Sequence, residues 1–481
     1  MKAKIITLGF FAVFLVTGIL IFRDYGISWD EPIQRAYGLE NLVYISGKST
    51  RLLKSNERYY GPVFETILAY LETVSGYTDL RQIYLLRHFV NFLTFFVGTI
   101  FFFLLIKKRF VSWKWGLLGT LMLIVSPTIF AHSFYNSKDV PFMAACITAV
   151  YFIDKLSYNF TYKNLLAAAF ASAVAVDIRI AGLFLPVLFL ITLEPRVKNH
   201  DYKDTFRWVV YYFITTGIFV LLFWPTLWSA PFENFIGAFA QMKNYPQSTS
   251  MLYFGKTVKS TSLPWHYVFG WLLLTTPASY IISALIGFYK RKGATDLAVS
   301  AWLVLPILIV IALKSSLYDG IRQMFFVYPA LIYFAIAGIV LLSGLKRKAL
   351  AAIVIVNILS TLYFMIKTHP YQHVYFNELA QEKDFEQDYW GLSYKQGYEK
   401  ILKNDRRKNI KVSTENFPGQ NNLMILSKSQ RDRFTYTENP VEADYYLTNF
   451  RREKKEPPLQ PFGYIYANGI KILGIYKTGG I

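Results

Sequence analysis

Long apolar runs separated by short charged segments dominate the chain. They cover residues 5–22, 89–106, 115–131, 140–153, 209–223, 267–289, 297–313, 324–342 and 349–366. Most of them approach the roughly 20 residues that an α-helix needs to cross a bilayer. The pattern therefore predicts a polytopic α-helical membrane protein.

A longer apolar stretch, residues 165–193, fits either one helix or two short helices broken near Asp177. With two helices, the basic clusters at 107–109, 196–198, 290–292 and 346–348 fall on the same side as Lys2 and Lys4. With one helix, the last three clusters would be translocated, against the positive-inside tendency. We therefore predict eleven transmembrane helices, with the N-terminus inside and the C-terminus outside.

The first apolar run could belong to a signal peptide, because Lys2 and Lys4 precede it. No small-residue cleavage site follows before Arg23, so we interpret the run as a retained anchor. Three segments then lie outside, at about 23–87, 132–139 and 224–266. The first contains two amphipathic pieces, 31–45 and 62–74, which predict short helices along the membrane interface.

Composition agrees with a membrane location. Of the 481 residues, 54% are hydrophobic, and the mean hydropathy of +0.30 is too high for an ordinary soluble protein. The net charge of +20 comes largely from clusters between apolar runs, so we expect no nucleic-acid partner. Cys146 is the one cysteine, which excludes an intrachain disulfide.

The residues after 366 are mostly polar and predict a small α/β domain. A helix is expected at 392–404 and strands at 410–414 and 445–448. The alternating stretch 464–476 surrounds Asn468-Gly469, a dipeptide that favours a type I′ hairpin turn. We therefore divide the chain into a membrane domain, 1–366, and an extracytoplasmic α/β domain, 367–481.

The candidate chemistry begins with Trp29-Asp30-Glu31-Pro32, directly after the first apolar run. Two adjacent carboxylates at the mouth of a span are costly to desolvate, so they are expected to face a polar cavity. A carboxylate at such a position can also be a helix cap. Between a span and a long amphipathic loop, we favour the functional interpretation.

The second outer segment carries an imidazole, an amide, an ammonium and a carboxylate within eight residues: His132, Asn136, Lys138 and Asp139. Asp139 could cap the next helix, with Pro141 in its first turn. A cap does not need the other three side chains, which together could hold a phosphate or a divalent metal.

Two further outer segments carry charge. In Asp177-Ile178-Arg179, a local ion pair is the simplest alternative to a functional role. In Tyr318-Asp319-Gly320-Ile321-Arg322, the guanidinium could bind phosphate or extend to lipid headgroups. His266, after Pro264-Trp265, is a weaker candidate.

These motifs resemble those of GT-C glycosyltransferases, especially bacterial members similar to protein O-mannosyltransferases and to the lipid A aminoarabinose transferase. The resemblance covers residues 1–366 and is carried by Asp30-Glu31, Asp139, the short hairpin around Arg179 and the eleven-span count. In the tail, the segments 369–377 and 388–391 are similar to those of family 39 glycosyltransferases.

The resemblance implies an inverting hexosyl or pentosyl transfer from a polyprenyl-phosphate sugar to a lipid, glycan or protein hydroxyl. Asp30 would be the base, with Glu31 as orienter or metal ligand. Asp139, His132 and Asn136 would bind a metal or the acceptor. Lys138, Arg179 and Arg322 would neutralise the donor phosphate, and His266 and Tyr318 are further candidates.

The only cofactor this implies is a divalent metal, and the carboxylates could also act without one. The expected location is a bacterial inner membrane, among membrane lipids, with the site and the C-terminal domain in the periplasm. The alternative function is a transporter or flippase of a lipid-linked sugar. Transporters commonly show repeats and midplane binding groups, which this sequence lacks.

Overall fold

Within the residues that the structure describes, the membrane part of the computed structural model contains seventeen α-helices. The structure describes residues 1–243, 248–381, 384–451 and 455–478. The helices are α1 (Lys2–Ile21), α2 (Glu31–Ile45), α3 (Val63–Ser75), α4 (Leu80–Phe110), α5 (Trp113–Ile124), α6 (Pro127–Tyr135), α7 (Asp139–Tyr158), α8 (Tyr162–Ile178), α9 (Phe184–Thr192), α10 (Glu194–Lys198), α11 (Tyr202–Phe223), α12 (Pro231–Lys243), α13 (Tyr267–Thr275), α14 (Ala278–Tyr289), α15 (Gly293–Ala312), α16 (Tyr328–Leu341) and α17 (Gly344–Thr368).

Shorter elements connect these helices. The 3₁₀ turns are Arg51–Lys54, Asn56–Tyr59, Ile180–Leu183, Pro225–Trp228, Arg322–Val327 and Gln372–Val374. Strands β1 (Ser250–Tyr253) and β2 (Lys256–Lys259) form an antiparallel hairpin between α12 and α13. The predicted helices of the first outer segment are confirmed as α2 and α3.

The polytopic helical fold is confirmed. Within the described residues, eight helical segments are long and apolar enough to cross a membrane, or ten if each of two bent helix pairs is one span. The predicted eleventh span corresponds to α8, whose 17 residues fall short of the roughly 20 that cross a bilayer without local thinning.

Two segments that the sequence indicated as single straight spans are broken. Helices α5 and α6 meet at 71°, and α13 and α14 meet at 119°. A proline follows each break, Pro127 and Pro277, and the residue before each is extended, as the proline ring requires. The sequence indicated a loop at His132. Because of the first break, His132 lies instead in the last turn of α6.

Asn377 satisfies main-chain carbonyls at the second break. Its side-chain amide donates to the carbonyl of Leu273 at 2.5 Å and to that of Thr276 at 2.7 Å. Its own N–H donates to Leu274 O at 2.8 Å. Carbonyls at a helix end need such partners within a membrane protein, so this residue of the tail fastens α13.

The predicted break near Asp177 is confirmed. Helix α8 ends at Ile178 and the chain turns back on itself, since a Cβ on Gly182 would lie 2.7 Å from the N atom of Val176. A continuing helix would separate residues six positions apart by about 9 Å along its axis. The absence of a side chain at Gly182 permits this tight return.

Over its described residues, the C-terminal part is a five-stranded sheet with three α-helices and a 3₁₀ turn, Pro440–Glu442. Its elements are α18 (Tyr394–Asn404), β3 (Ile410–Thr414), α19 (Phe417–Leu423), α20 (Lys428–Arg431), β4 (Phe434–Tyr436), β5 (Tyr445–Thr448), β6 (Gln460–Ala467) and β7 (Ile470–Lys477). The strand order is β4-β3-β5-β7-β6. Strand β3 is parallel to both neighbours, and β7 is antiparallel to β5 and β6.

The predicted α/β character is confirmed, as is the turn at Asn468-Gly469, where both φ angles are positive (47° and 80°). The boundary after residue 366 stays a prediction. Helix α17 ends at Thr368, and the core of the sheet begins at Tyr394. Between them, Phe376, Phe385 and Trp390 belong to the core of the membrane part.

The sheet domain docks on the segment between α1 and α2 and on the start of α4. Asn422 accepts from Ile27 N at 2.9 Å and donates to Ile27 O at 2.9 Å, and Arg81 donates to Ile425 O at 3.1 Å. At the other end of the bundle, Arg109 pairs with Asp296 at 2.7 Å and Lys108 with Asp154 at 2.6 Å. The two ends of the bundle therefore have different chemistry.

Candidate active site

A polar cavity of about 610 Å³ lies at the end of the bundle that faces the C-terminal domain. Five predicted site residues line it: Asp30, Lys138, Arg179, Tyr318 and Arg322. They come from the start of α2, the α6–α7 junction, the α8–α9 hairpin and the segment before α16. The topology thus brings together side chains nearly 300 positions apart.

Asp30 precedes α2 but does not cap it. Its side chain makes no capping hydrogen bond. Instead, Oδ2 lies 3.4 Å from Nη2 of Arg322, and about a third of the side chain is exposed to the cavity. Enclosure by protein raises the pKa of Asp30, and Arg322 offsets this in part. Asp30 is therefore a carboxylate with access to a ligand and with more basicity than an ordinary surface aspartate.

Asp139 lies behind the cavity wall and holds two arginines. It is the first residue of α7, and its carboxylate pairs with Arg179, with Nη1 of Arg322 at 3.2 Å and with the Asn136 amide at 2.8 Å. The side chain is almost fully buried. The structure thus rejects a simple capping role and makes Asp139 the anion that positions two cations.

Arg322 lies at the centre of the charged side chains. Asp319 and Gly320 before it are both left-handed, with φ of 57° and 77°, which turns the chain sharply ahead of the 3₁₀ segment. The guanidinium then packs 4.7 Å from the ring centroids of both Tyr318 and Trp390. It is buried within the protein and does not extend to lipid headgroups.

Lys138 occupies the short connection between α6 and α7. Its ammonium lies 3.4 Å from the centroid of the Tyr60 ring, a cation–π contact. Burial, assisted by the charge of Arg179, lowers the pKa of Lys138 to about 8. This cation consequently titrates close to neutral pH.

Arg179 reaches the cavity because the first outer segment packs closely against the α8–α9 hairpin. A Cβ on Gly61 would lie 1.3 Å from the carbonyl oxygen of Asp177, and Asp177 Oδ1 accepts from Val63 N at 2.7 Å at the start of α3. Asp177 therefore makes no local ion pair with Arg179, the simplest alternative considered from the sequence. Arg179 is left to pair with Asp139.

Besides Asp139, four predicted residues do not line the cavity. Glu31 accepts from Ser28 N at 2.6 Å and lies 2.9 Å from His88. His132 and Asn136 are buried, with their hydrogen-bonding atoms 2.9 Å apart. His266 does not line the cavity, and its ring forms a hydrogen bond of 3.0 Å with the Tyr253 hydroxyl. Their predicted roles in metal binding or catalysis stay predictions.

The donor set does not favour a metal. Among the described side chains, no three His, Cys, Asp or Glu groups lie together in a way that could hold an ion. Both carboxylate oxygen atoms of Asp139 pair with guanidinium groups, and a divalent cation would need those same atoms. We therefore derive no step through a metal.

Sequence reasoning missed Arg451, which the C-terminal domain contributes to the cavity. It donates to Asp319 Oδ1 at 2.7 Å and to the carbonyl of Tyr389, and it lies 4.9 Å from the ring centroid of Trp29. The basic run 451–455 gives no hint of this role, because such runs are usually solvated. Tyr60 was also missed, although its position before Gly61-Pro62 indicates a tight turn.

A second, apolar cavity of about 330 Å³ abuts the polar one. Leu183, Val187, Ile309 and other aliphatic and aromatic residues line it. Tyr60, Arg179 and Tyr318 line both cavities. A cationic and aromatic border thus separates an apolar compartment from the compartment that contains Asp30.

The chain has the GT-C fold. Three features define it: a helical bundle with a charged cavity at one end, two helices in the first outer segment, and a small C-terminal sheet domain. This fold is shared with ArnT from Cupriavidus metallidurans. The crystal structure of that protein bound to undecaprenyl phosphate has 12% sequence identity to this chain and a TM-score of 0.54, covering 98% of this chain and 97% of that one. Its apo structure has 10% identity and a TM-score of 0.55, covering 99% of both chains.

At such low identity, the similarity shows the fold and not the reaction. No family model and no curated protein matches the sequence.

Proposed function

We propose that this protein is an inverting membrane glycosyltransferase. It transfers a hexosyl or pentosyl group from a polyprenyl-phosphate sugar to an acceptor hydroxyl on the periplasmic face of the inner membrane. The observation that carries the proposal is the junction of the two cavities at Arg179, beside Lys138 and the partly exposed carboxylate of Asp30.

The cavities match the two halves of such a donor. An isoprenoid chain needs apolar surroundings, as the cavity around Leu183 and Ile309 provides. The phosphate would lie at the border, where Arg179 and Lys138 can offer charged donors. The sugar would then occupy the polar cavity. A crystal structure of ArnT, which has the same fold, contains undecaprenyl phosphate.

Asp30 would act as the general base. It takes the proton of the acceptor hydroxyl while the oxygen attacks the anomeric carbon, and the bond from that carbon to the phosphate oxygen breaks. The polyprenyl phosphate leaves with the bonding electrons, stabilised by Lys138 and Arg179. Phosphate needs little protonation as a leaving group, so one carboxylate suffices. The single displacement inverts the anomeric configuration.

A transporter or flippase is less consistent with the site. The charges concentrate at one end of the bundle, whereas transporters usually bind their substrate near the bilayer midplane between repeats. Asp30, Lys138 and Arg322 all lie at helix ends or junctions.

The test compares Asp30→Asn with Asp24→Asn, a matched control. Asp24 lies six residues earlier, pairs with His369 at 2.8 Å and does not line the cavity. With a panel of radiolabelled polyprenyl-phosphate sugars, we expect Asp30→Asn to lose transfer by a factor of roughly 100 or more while it still binds donor. Asp24→Asn should stay active. Transfer by Asp30→Asn within tenfold of the wild type would refute the assigned base.

A further inference from the structure

A third cavity, of about 190 Å³, lies between the β1–β2 hairpin, the segment 385–389 and the C-terminal sheet. The sheet domain contributes Asn449, Phe450 and Ile472 to its wall, and the hairpin contributes Leu252. The proposed donor-binding site does not include this cavity. The cavity is the place where the C-terminal domain itself could bind a ligand.

The third cavity shares a wall with the polar cavity. Glu386 and Arg451 line both. Strand β1 also runs between them, with Met251 lining the polar cavity and Leu252 the third. A ligand in the third cavity is thus separated from the compartment of Asp30 by the thickness of one layer of side chains.

The lining combines aromatic rings with planar polar groups. Phe385, Tyr389 and Phe450 provide the rings, and Asn449 and Arg451 provide amide and guanidinium groups. A sugar ring has an apolar C–H face and a rim of hydroxyls, which such a lining complements. The volume corresponds to about six water molecules at roughly 30 Å³ each, which suits a single sugar unit.

The charged side chains of the lining further restrict the class of ligand that the cavity can bind. The lining carries two carboxylates, Glu386 and Asp388, and two cations, Arg451 and Lys471. The carboxylate of Asp388 is already bonded to His373 at 3.1 Å and to two main-chain N–H groups. Arg451 pairs with Asp319, and Lys471 pairs with Glu456. A charged headgroup would therefore find no unpaired ion among these three, and an acyl chain would leave the charged groups without solvent. An uncharged sugar needs no counter-ion and avoids that penalty.

Phe450 is held in its place against local preference. Its φ of 58° is left-handed, a backbone conformation that is unfavourable for a residue with a side chain. Its ring lies against Gly474 of β7, where an added Cβ would come 2.9 Å from the ring. Strained conformations of this kind cluster at ligand-binding sites, and here the strained residue lines the cavity.

From these observations we infer that the third cavity is an acceptor subsite, which binds an uncharged sugar unit of a glycan acceptor next to the unit that receives the transferred sugar. The inference rests on the proposed transferase function and names its acceptor class. It also gives the C-terminal domain a function in substrate binding.

The test is saturation-transfer NMR of the full chain in detergent with a panel of methyl glycosides. Phe450→Gly removes the ring, and glycine adopts the same left-handed backbone without strain. Phe254→Gly is the matched control, because Phe254 is also left-handed (φ 50°) but lines none of the three cavities. Leu252→Trp fills the cavity from the hairpin, so the test does not depend on one variant of the sheet domain.

We expect ring-proton signals from at least one glycoside with wild type, Phe254→Gly and Asp30→Asn. The signals should fall by about fivefold or more in Phe450→Gly and Leu252→Trp. Unchanged signals in both variants, in a protein that still transfers sugar, overturn the subsite and leave the transferase proposal standing. The same pattern from glycerol phosphate or a serine peptide, in place of glycosides, also overturns it. Variant-sensitive glycoside signals in a protein that transfers no sugar would instead refute the transferase proposal.

Discussion

Replacing Lys138 by arginine should change how the reaction depends on pH. The ammonium of Lys138 lies against Tyr60 at the border of the two cavities, and burial lowers its pKa to about 8. A lysine is cationic below its pKa and neutral above it. Donor binding that depends on this charge must therefore weaken as the pH rises through 8. A guanidinium stays charged throughout that range and can make the same cation–π contact.

The size of the effect follows from the titration. With a pKa of about 8, the charged fraction of Lys138 falls from about 0.9 at pH 7 to about 0.1 at pH 9. We expect kcat/KM for the donor to fall by roughly tenfold over this interval, because this parameter reports the free enzyme. In the complex, the donor phosphate favours the charged lysine, so kcat should decline only at higher pH. The Lys138→Arg enzyme should show no decline near pH 8.

The assay measures initial transfer rates at subsaturating and saturating donor between pH 6 and 10. The donor phosphodiester does not titrate in this range, so a break belongs to the protein. The control is Lys54→Arg. Lys54 is in the first outer segment and does not line the polar cavity. A wild-type profile that is flat to pH 9.5, or a break near pH 8 that persists in Lys138→Arg, would show that this charge does not bind the donor.

Three further predictions concern stability. Arg322→Ala leaves buried Asp139 without one of its cations and should cost about 3–5 kcal/mol of folding stability. The double variant Arg322→Ala/Asp139→Ala should lose less stability than the sum of the two single variants. Additive shifts in thermal unfolding would contradict this coupling. Asn377→Ala removes the partner of two carbonyls at the end of α13 and should lower the free energy of unfolding in denaturant by about 1–3 kcal/mol. The control Asn404→Ala, at an exposed position, should lower it by almost nothing. Equal losses of stability in the two variants would argue against the role of Asn377 in holding α13. Gly469→Ala, at φ 80° in open space, should cost about 1 kcal/mol through the backbone alone, and an unchanged melting temperature would refute that reasoning.

Sequence patterns predicted most elements of the fold because each depends on local chemistry. The apolar runs located the bundle, and Asn468-Gly469 located a hairpin. The pattern could not reveal the bends at Pro127 and Pro277, because an apolar run has the same composition whether straight or broken. Strand β4 was also missed, since three residues carry too little periodicity to be recognised.

The candidate site was predictable only in part. Asp30, Lys138, Arg179 and Arg322 could be found because the topology placed each charged segment at the same end of the bundle. The partners of these side chains depend on tertiary packing. Nothing in the sequence separates Asp30, which faces the cavity, from its neighbour Glu31, which bonds to His88. Arg451 reaches the cavity only because the C-terminal domain docks over it.

The order of charges around Arg322 explains how Asp30 can serve as the proposed base beside an arginine. Buried ion pairs add little net stability, so their value must lie elsewhere. Arg322 lies 3.2 Å from Asp139 and 3.8 Å from Asp319, and Asp139 also pairs with Arg179 while Asp319 pairs with Arg451. Two carboxylates thus share the positive charge of Arg322.

Asp30 meets that guanidinium at 3.4 Å, with part of its side chain exposed to the cavity. A close bidentate pair would lower the pKa of Asp30 and make it a poor proton acceptor. Because Asp139 and Asp319 already balance the arginine, burial outweighs the attraction and the pKa of Asp30 is raised. The network therefore holds Asp30 in position while preserving the basicity that the proposed attack of an acceptor hydroxyl requires.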